Sequence, residues 1–413
     1  MNLLPVAVGG DIGVYALLRD FHARYNADSI VVSTNATRAI GHSQFITNVI
    51  EPGINDARKL TDTLIDIARK NPDRTRILLT NADWYVQAIL QYRDELAPHY
   101  IIPHPTQDNF DLVGDKQAFA TICQRLAIPT PAEIALDIAD LTSAQVPAAV
   151  KHASSTLKFP LVAKPASSAE YFYISFPGKK KIHHIDTEEE LSELISALVT
   201  ARYQGTFLIQ EFITGDETQM RSLTAYRNTR GHVTLAATGR VLLEEHTPGT
   251  LGIPASIMVE KYDGVIEQAI SFLDEIDYHG FANFDIKWDT TNHRYVFFEA
   301  NPRIGRNNYY VTAGGASTAR AIVEDYLDPT DTLYTAENPV LYSVVPHRLL
   351  LRYILDEELL AQVKRLMKEG TTVHPLRYSS DKSPKRTLAV EGMTANFWRK
   401  YKQYYPKPTA SGF

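Results

Sequence analysis

Cysteine is almost absent from this chain of 413 residues, because Cys123 is its single example. A lone cysteine excludes a framework of internal disulfide bonds. It is typical of a protein that works in a reducing compartment. We therefore expect a cytoplasmic protein.

Long hydrophobic runs are also missing. No uninterrupted apolar stretch approaches the roughly 20 residues that a membrane-spanning helix needs. The first residues, MNLLPVAVGGDIGVYALL, are apolar, but they lack a basic region and are interrupted by Asp11. This pattern predicts a strand and a turn, and not a signal peptide.

An excess of positive charge is the third absence. The formal net charge is −6, so nucleic acid is not attracted to the chain as a whole, and an anionic substrate must meet local basic clusters. A hydrophobic content of 44% with 22% charged residues is typical of a soluble globular protein. This length predicts two to four packed units. The sequence has no internal repeat, and nothing in it indicates an oligomeric state.

Strand-like and helix-like segments alternate through the first hundred or so residues. LPVAVGG and DIGVYALLRDFHARY begin this alternation, and SIVVS, RILLT and ADWYVQAILQYRDEL continue it. The pattern predicts a small parallel sheet covered by helices, and such sheets bind ligands beyond the carboxyl ends of their strands. An alternative is that Asp11 and Asp83 only cap the helices that follow them. The candidate substrate contacts at two strand ends are Gly9, Gly10, Asp11, Asn81, Ala82 and Asp83.

The strand-like run FANFDIKWD ends at the turn-forming cluster DTTNH, and a second such run, RYVFFEANP, follows it, so the pair predicts a hairpin. Strand alternation places Glu299 and Asn301 on one face, with Ala300 pointing outward between them. If Asp285 lies on the same face of the neighbouring strand, three oxygen donors converge. Two carboxylates and an amide oxygen are hard ligands, which suit Mg²⁺ bridging nucleotide phosphates and do not suit zinc.

Two arginines follow the hairpin directly. The spacing of Arg303 and Arg306 can direct both guanidinium groups toward phosphates. An alternative is that the two carboxylates pair with basic neighbours on a solvated hairpin, namely Lys287, Arg294 or Arg303.

A lysine interrupts the apolar run FPLVAKPA. Unpaired burial of a charge is costly, so Lys164 needs an anionic partner, and the α- or β-phosphate of a nucleotide would supply one. Arg240, in the strand-like run HVTLAATGRVLLEE, either points into a substrate site or forms a structural salt bridge.

The hairpin string D-x-K-x-D, a turn, and F-F-E-x-N-P-R-x-x-R resembles the metal and phosphate hairpin of the ATP-grasp ligases. The resemblance implies a fold of the α/β and α+β classes, with ATP and Mg²⁺ as cofactors. Its expected parts are an N-terminal parallel α/β domain, a two-lobed nucleotide-binding region and a small C-terminal extension. The N-terminal domain is expected over residues 1–112 and the C-terminal extension over residues 331–413. The two lobes are expected over residues 113–205 and 206–330.

The same resemblance implies a set of nucleotide-binding residues. Lys116 and Lys164 are expected to contact phosphates, and Glu217 the ribose hydroxyl groups. The backbone of a strand end is expected to receive the adenine. The phosphate flap falls on a segment that departs from the family pattern, because it has no glycine before Gly178. The flap residues are Ser167 and Ser168, and those of the strand end are Gln210, Glu211, Phe212 and Ile213.

The mechanism that the resemblance implies is governed by charge. A carboxylate that attacks the γ-phosphate of ATP is an anion approaching an anion. Lys164, Arg303 and Mg²⁺ would neutralise this repulsion. Arg303 and Arg306 would then stabilise charge on the transferring phosphoryl group and on the tetrahedral intermediate that an amine forms from the acyl phosphate.

Two other segments carry structural predictions. SSAEYFYISFPGKKKIHHI predicts a strand, a Pro-Gly turn and a second strand. The lysines of the turn, Lys179, Lys180 and Lys181, form a solvated tip or alternatively a phosphate clamp. From about residue 331 the sequence predicts one strand, LYSVV, and one helix, DEELLAQVKRLMKEG. The final NFWRKYKQYYPKP is interpreted as an amphipathic packing segment, or alternatively as a contact for an anionic precursor.

Within the superfamily the chain most resembles the D-aspartate ligases of Gram-positive bacteria, through FPGKKK, QEFITGDETQMRSLTAY, GFANFDIKWD and E-x-N-P-R-x-x-R-x-x-Y-Y-V-T. This implies an amino acid and a UDP-linked or lipid-linked muramyl peptide as substrates in peptidoglycan biosynthesis. One alternative is an ATP-grasp ligase that makes a dipeptide or another amide. The other is a non-catalytic nucleotide sensor, which the intact set Asp285, Glu299 and Asn301 argues against.

Overall fold

The computed structural model describes residues 1–166, 171, 173–180 and 182–409. The chain divides into two compact units. The first contains residues 1–128, 215–288 and 297–413, and the second contains residues 129–214 and 289–296.

The first unit opens with a four-stranded parallel sheet, as the alternating pattern predicts. Its strand order is β3-β2-β1-β4, so the first and last of its strands in sequence are neighbours. Helices pack on it through buried side chains such as Val14, Leu64 and Ile89. The strands are β1 (Leu3–Val8), β2 (Ser29–Ser33), β3 (Ile46–Ile50) and β4 (Thr75–Leu79). The helices are α1 (Ile12–Tyr25), α2 (Ala57–Lys70), α3 (Asp83–Gln91) and α4 (Arg93–Leu96).

The second unit contains an antiparallel sheet of order β5-β8-β6-β7. Its own core includes Leu161, Leu191, Leu198 and Phe207. The strands are β5 (Glu133–Asp137), β6 (Leu161–Pro165), β7 (His183–Ile185) and β8 (Thr206–Glu211), and the helices are α7 (Val146–Thr156) and α8 (Glu188–Thr200).

The predicted strand before the Pro177–Gly178 turn is wrong for the described residues 171 and 173–180, none of which lies in a strand. The strand predicted after the turn forms as β7. Tyr171 is helical, and its ring packs at 5.7 Å from Tyr203. Its hydroxyl donates to the carbonyl of Lys180 at 2.9 Å. Ser167, Ser168 and Lys181 lie outside the described residues.

A larger, mostly antiparallel sheet lies mainly in the first unit, and residues 289–296 of its hairpin are counted with the second unit. Its order is β13-β12-β9-β10-β11-β15-β16, with β14 beside β10. The neighbouring positions of β12 and β13 confirm the predicted hairpin. The strands are β9 (Met220–Arg227), β10 (Val233–Glu244), β11 (Pro254–Val259), β12 (Gly280–Asp289), β13 (Arg294–Asn301), β14 (Tyr334–Thr335), β15 (Leu341–Ser343) and β16 (Thr372–Val373).

Helices cover this larger sheet. Tyr310, Ile322 and Leu350 are buried against it in a core that also includes Val14 and Leu18 of α1. The helices are α5 (Gln107–Gly114), α6 (Lys116–Arg125), α9 (Asp263–Glu275), α10 (Tyr309–Ala313), α11 (Thr318–Tyr326), α12 (His347–Tyr353), α13 (Glu357–Glu369) and α14 (Pro384–Tyr404). Within the part of the chain that the structure describes, none of the helices is both long and apolar enough to cross a membrane.

The C-terminal segment has more structure than the single strand and helix that the sequence predicts. Helix α14 was not predicted, although Ser383 caps it and Pro384 occupies its first position, which is a common helix start. Its interior contains Gly392 and a buried arginine, Arg386, which weaken the apolar periodicity. Phe397 and Tyr401 are buried, as the packing interpretation of this segment predicts.

Candidate functional site

The hairpin brings its three predicted metal ligands together. The side-chain amide of Asn301 donates to Asp285 Oδ2 at 3.3 Å. Burial, and after it the negative charge of Glu299, raise the pKa of Asp285 to about 7 against the opposing charge of Arg303. Two carboxylates this close repel each other, so the pair favours a cation between them.

The chemistry of this donor set fits magnesium. Mg²⁺ takes oxygen ligands, uses one or two carboxylates, and completes its octahedron with water and substrate phosphates. Among the described residues, no group of three or more His, Cys, Asp or Glu side chains forms a metal site. The candidate set is therefore two carboxylates and an amide, and its metal binding stays a prediction.

Arg303 lies beside this set. Its guanidinium donates to Asn301 Oδ1 at 3.2 Å and to the two carboxylate oxygens of Asp83 at 3.1 and 3.3 Å. Asp83 occupies the first turn of α3 at the end of β4, and it does not serve as the helix cap. A strand end of the parallel sheet thus meets the residues that follow the hairpin.

Arg306 contacts the end of a second strand of the parallel sheet, β1. It forms ion pairs with Glu245 at 2.6 Å and with Asp11 at 3.3 Å. Asn81 donates to both carboxylate oxygens of Asp11, at 3.0 and 3.1 Å. Asp11 also caps α1 by accepting from the backbone of Val14, so the capping alternative holds for this aspartate along with its place in the cluster.

The approach of the Arg306 backbone to α1 requires a glycine. A β-carbon at Gly13 would lie 2.7 Å from the carbonyl oxygen of Arg306 and 2.4 Å from the side-chain nitrogen of Asn81. No larger residue fits there without displacing one of them. Gly10, a predicted substrate contact, accepts a hydrogen bond from Thr37 through its carbonyl.

A cavity of about 210 Å³ adjoins the predicted metal ligands. Asp83, Lys116, Glu299 and Asn301 line it together. Lys116 reaches this position because Asp115 caps α6 directly before it, accepting from two backbone N–H groups at 2.8 and 2.9 Å. Strand alternation predicts that Ala300 points outward, but Ala300 is only 6% exposed and lines the same cavity.

The predicted ribose ligand Glu217 is held in a buried polar cluster. Its Oε2 accepts from the backbone of Glu244 at 2.8 Å and contacts His246 Nε2 at 3.1 Å. Burial raises the pKa of Glu217, and the contacts with His246 oppose the rise. Ribose binding by Glu217 stays a prediction.

Glu244 and Glu245 are site residues that the sequence did not single out. Burial raises the pKa of Glu244 well above its usual range, and the charges of Glu217 and Asp285 add to the rise. Glu245 differs: burial works to raise its pKa, but the charges of Arg306 and Lys400 outweigh burial and lower it. The available signal was the pair of adjacent acids at the end of β10, directly before His246.

Arg240 contacts the backbone of a neighbouring segment, and substrate binding by Arg240 stays a prediction. Its Nε donates to the backbone carbonyl of Thr218 at 2.9 Å, where the structural alternative had predicted a salt bridge. Lys287 likewise donates to a backbone carbonyl, that of Gly215, at 2.6 Å.

The second unit contains the other predicted nucleotide-binding residues. Lys164 is half-buried on β6, and Ile213 is buried directly after β8. Gln210 donates to Glu133, and Phe212 packs edge-on against His184 at 4.8 Å. Contact of these residues with a nucleotide stays a prediction.

Arg294, which lies near the hairpin turn, forms its ion pairs within the same second unit. Arg294 contacts Glu211 at 3.2 Å and Asp289 at 3.2 Å. Neither contact involves the predicted metal ligands. The alternative of a solvated hairpin neutralised by Arg294 therefore does not describe this structure.

Comparisons with known proteins agree with this architecture. Residues 115–313 match the family described as "Carbamoyl-phosphate synthase L chain, ATP binding domain". The chain is 28% identical to a D-aspartate ligase of Enterococcus faecium (strain Aus0004), and the alignment covers 98% of this chain and 97% of the relative.

Solved structures with the same fold include an ADP complex of purK, N5-carboxyaminoimidazole ribonucleotide synthetase. It has a TM-score of 0.59 and 12% identity, and 98% of each chain is covered. An L-amino acid ligase from Bacillus licheniformis has a TM-score of 0.52 and 13% identity over 78% of this chain and 74% of that one.

The class that the fold defines is the ATP-grasp proteins, which confirms the predicted fold. Over nearly its whole length the chain is similar to a D-aspartate ligase, which supports the predicted ATP-dependent ligase that forms carbon–nitrogen bonds.

Proposed function

We propose that the chain uses ATP to activate the carboxylate of D-aspartate and joins it to the side-chain amine of a peptidoglycan precursor peptide. The observation that supports this most directly is the pair of adjacent carboxylates, Asp285 and Glu299, with Arg303 beside it. This arrangement suits Mg²⁺ and phosphates together. The choice of D-aspartate rests on the similarity to a D-aspartate ligase.

The chemistry follows from the charges of the site. Mg²⁺, when bound, reduces the negative charge of the nucleotide phosphates. Arg303 is fixed by Asp83 and Asn301, so its guanidinium meets the transferring phosphoryl group without reorganisation. The substrate carboxylate attacks the γ-phosphorus, the bond to the leaving oxygen of ADP breaks, and an acyl phosphate forms.

Arg306 serves the second step. The amine attacks the acyl carbonyl, a tetrahedral oxyanion forms, and phosphate leaves as the amide is made. Arg306 is oriented by Glu245 and Asp11, and its positive charge stabilises that oxyanion. Lys164 and Lys116 contribute positive charge to the phosphates in this proposal.

The strand ends of the parallel sheet hold the substrates. Asp11 and Asn81 are joined by hydrogen bonds, and Gly10 precedes Asp11 in the turn after β1. Ligands of such sheets bind at this edge. We infer that this turn contacts the amino acid, and that the precursor is UDP-linked or lipid-linked and located in the cytoplasm.

A second candidate function is an ATP-grasp ligase that makes a dipeptide or another amide outside cell-wall synthesis. The same phosphate and metal residues would serve it, so the two differ only in their substrates. A non-catalytic nucleotide sensor is disfavoured, because it has no need of Arg306 held between two carboxylates beside the strand ends.

A substrate screen tests the proposal. Purified protein is given MgATP, one D- or L-amino acid, and a UDP-linked muramyl pentapeptide, and ADP release is measured. D-aspartate together with the pentapeptide is expected to give the fastest release, and Glu299→Gln is the matched inactive control. Faster release with L-amino acids, and none with D-aspartate at millimolar concentration, would favour the second candidate.

A further inference from the structure

The last helix, α14, reaches the candidate site through side chains to which the proposed mechanism gives no role. Lys400 lies near the end of this helix, and Tyr405 follows it directly. Both contact the segment at the end of β10 that contains Glu244, Glu245 and His246.

Lys400 and Arg306 both form ion pairs with Glu245. The Lys400 ammonium group donates to Glu245 Oε2 at 3.1 Å, while Arg306 donates to Glu245 Oε1 at 2.6 Å. The Glu245 side chain is 0% exposed. A buried carboxylate requires compensation at both oxygens, and the two donors together fix its plane. Thr250 also donates to Oε2 at 3.1 Å, but Lys400 is the charged donor there. Loss of Lys400 therefore loosens the carboxylate that orients Arg306.

Tyr405 supports a second set of contacts, the one that leads through His246 to Glu217. Its ring stacks on His246 with centroids 3.6 Å apart and an interplanar angle of 10°. His246 in turn contacts Glu217 at 3.1 Å, and both side chains are at most 7% exposed. Tyr353 donates to the carbonyl of Tyr405 at 2.5 Å, so the ring is itself anchored. The stack and the contact with Glu217 together hold the plane of the His246 ring.

We propose that α14 positions the active site, with Lys400 orienting Arg306 through Glu245 and Tyr405 orienting Glu217 through His246. The proposal rests on the proposed function, because Arg306 and Glu217 serve phosphoryl transfer and ribose binding there. Sites require such support, since a catalytic group must be held close to its productive geometry. Lys400 and Tyr405 are positioning residues and touch no substrate.

The two sets of contacts predict different kinetic effects. Lys400→Met is expected to lower kcat about tenfold and to leave the KM for ATP within about twofold, because Arg306 acts in the transition state. Lys400→Arg restores a donor and is expected to recover most of the loss. Lys402→Met, at an exposed position of the same helix, is the matched control and is expected to behave as wild type.

Tyr405→Leu is expected to weaken ATP affinity about fivefold or more, measured by calorimetry without amino acid, while Tyr405→Phe keeps the ring and the affinity. Tyr404→Leu, at the neighbouring exposed residue, is the control. Thermal unfolding of every variant accompanies these measurements. A purely structural role would reduce the melting temperature, kcat and ATP affinity in parallel, and that result would overturn the inference.

Failure of the inference is distinguishable from failure of the proposed function. If the wild-type protein binds MgATP but releases no ADP with any amino acid, the proposed function falls, and the ATP affinities of the Tyr405 variants still decide the inference. If Lys400→Met equals Lys402→Met and Tyr405→Leu equals Tyr404→Leu, the inference falls while the ligase proposal stands. A wild-type protein that does not bind MgATP contradicts both.

Discussion

Replacing Glu299 with glutamine tests whether Asp285 and Glu299 form a cation-binding pair. Burial, with the charge of Glu299 as the next cause, raises the pKa of Asp285 from 3.8 to about 7. A rise of about three pKa units corresponds to a cost of about 4 kcal/mol for ionised Asp285 in the metal-free folded protein. The pair is therefore destabilising until a cation binds.

The sign of the pH effect follows from the raised pKa. The contribution of Asp285 to stability is fully present below its unfolded pKa near 4 and is lost as the pH rises through about 7. Glu299→Gln removes the part of the rise in the Asp285 pKa that the charge of Glu299 causes. The part due to burial remains. We expect the metal-free variant to be more stable than wild type by about 1–2 kcal/mol at pH 8, and by less at pH 5.

Activity is expected to change in the opposite direction. A lost charge at the phosphate and metal site costs about 3 kcal/mol of transition-state stabilisation or more, so ADP release falls at least about a hundredfold. Added Mg²⁺ is expected to stabilise wild type more than the variant, because wild type has the stronger repulsion to relieve.

The assay is urea unfolding at pH 5 and pH 8, with a chelator and then with Mg²⁺, beside a measurement of ADP release. Glu267→Gln, at an exposed position within α9, is the charge-matched control and should show no pH-dependent difference from wild type. The reasoning is refuted if Glu299→Gln is no more stable than wild type at pH 8 without metal and still releases ADP at the normal rate.

Two further predictions concern the backbone and the lysines. Gly13→Ala is expected to lower the free energy of unfolding in urea by about 1–3 kcal/mol, because its β-carbon collides with the carbonyl of Arg306. Gly264→Ala has open space around its β-carbon and should not lower it. Equal stabilities of the two variants would show that the contact is relaxed. Lys164→Ala is expected to weaken ATP binding at least about tenfold in calorimetry and Lys116→Ala by less, because Lys164 lies in an apolar strand. Negligible effects of both would mean that both lysines are structural.

The sequence predicted those parts of the site that depend on local periodicity. Alternating strands and helices predict the parallel sheet, and the ends of its strands β1 and β4 do bring Asp11 and Asn81 within hydrogen-bonding distance. The period of two in a strand likewise predicts that Asn301 reaches the face on which Asp285 lies. These predictions need only neighbouring residues and the rule that parallel strands end at one edge.

The remaining contacts depend on packing between distant segments. Lys400 and Glu245 are 155 residues apart, and neither local pattern indicates the other. Tyr171 was assigned to a strand by its β propensity, but its burial against Tyr203 and Phe207 outweighs that preference. The buried contact between Glu217 and His246 is equally invisible to spacing, since it joins the start of β9 to the loop after β10.

Analysis of the amide product tests the central claim most directly. Purified protein, MgATP, D-aspartate and a UDP-linked muramyl pentapeptide are incubated, and the peptide is examined by mass spectrometry beside measured ADP. The account predicts a peptide heavier by one aspartyl residue, attached at the side-chain amine, with one ADP released for each product. A peptide that stays unmodified while ADP is released with an L-amino acid would contradict it.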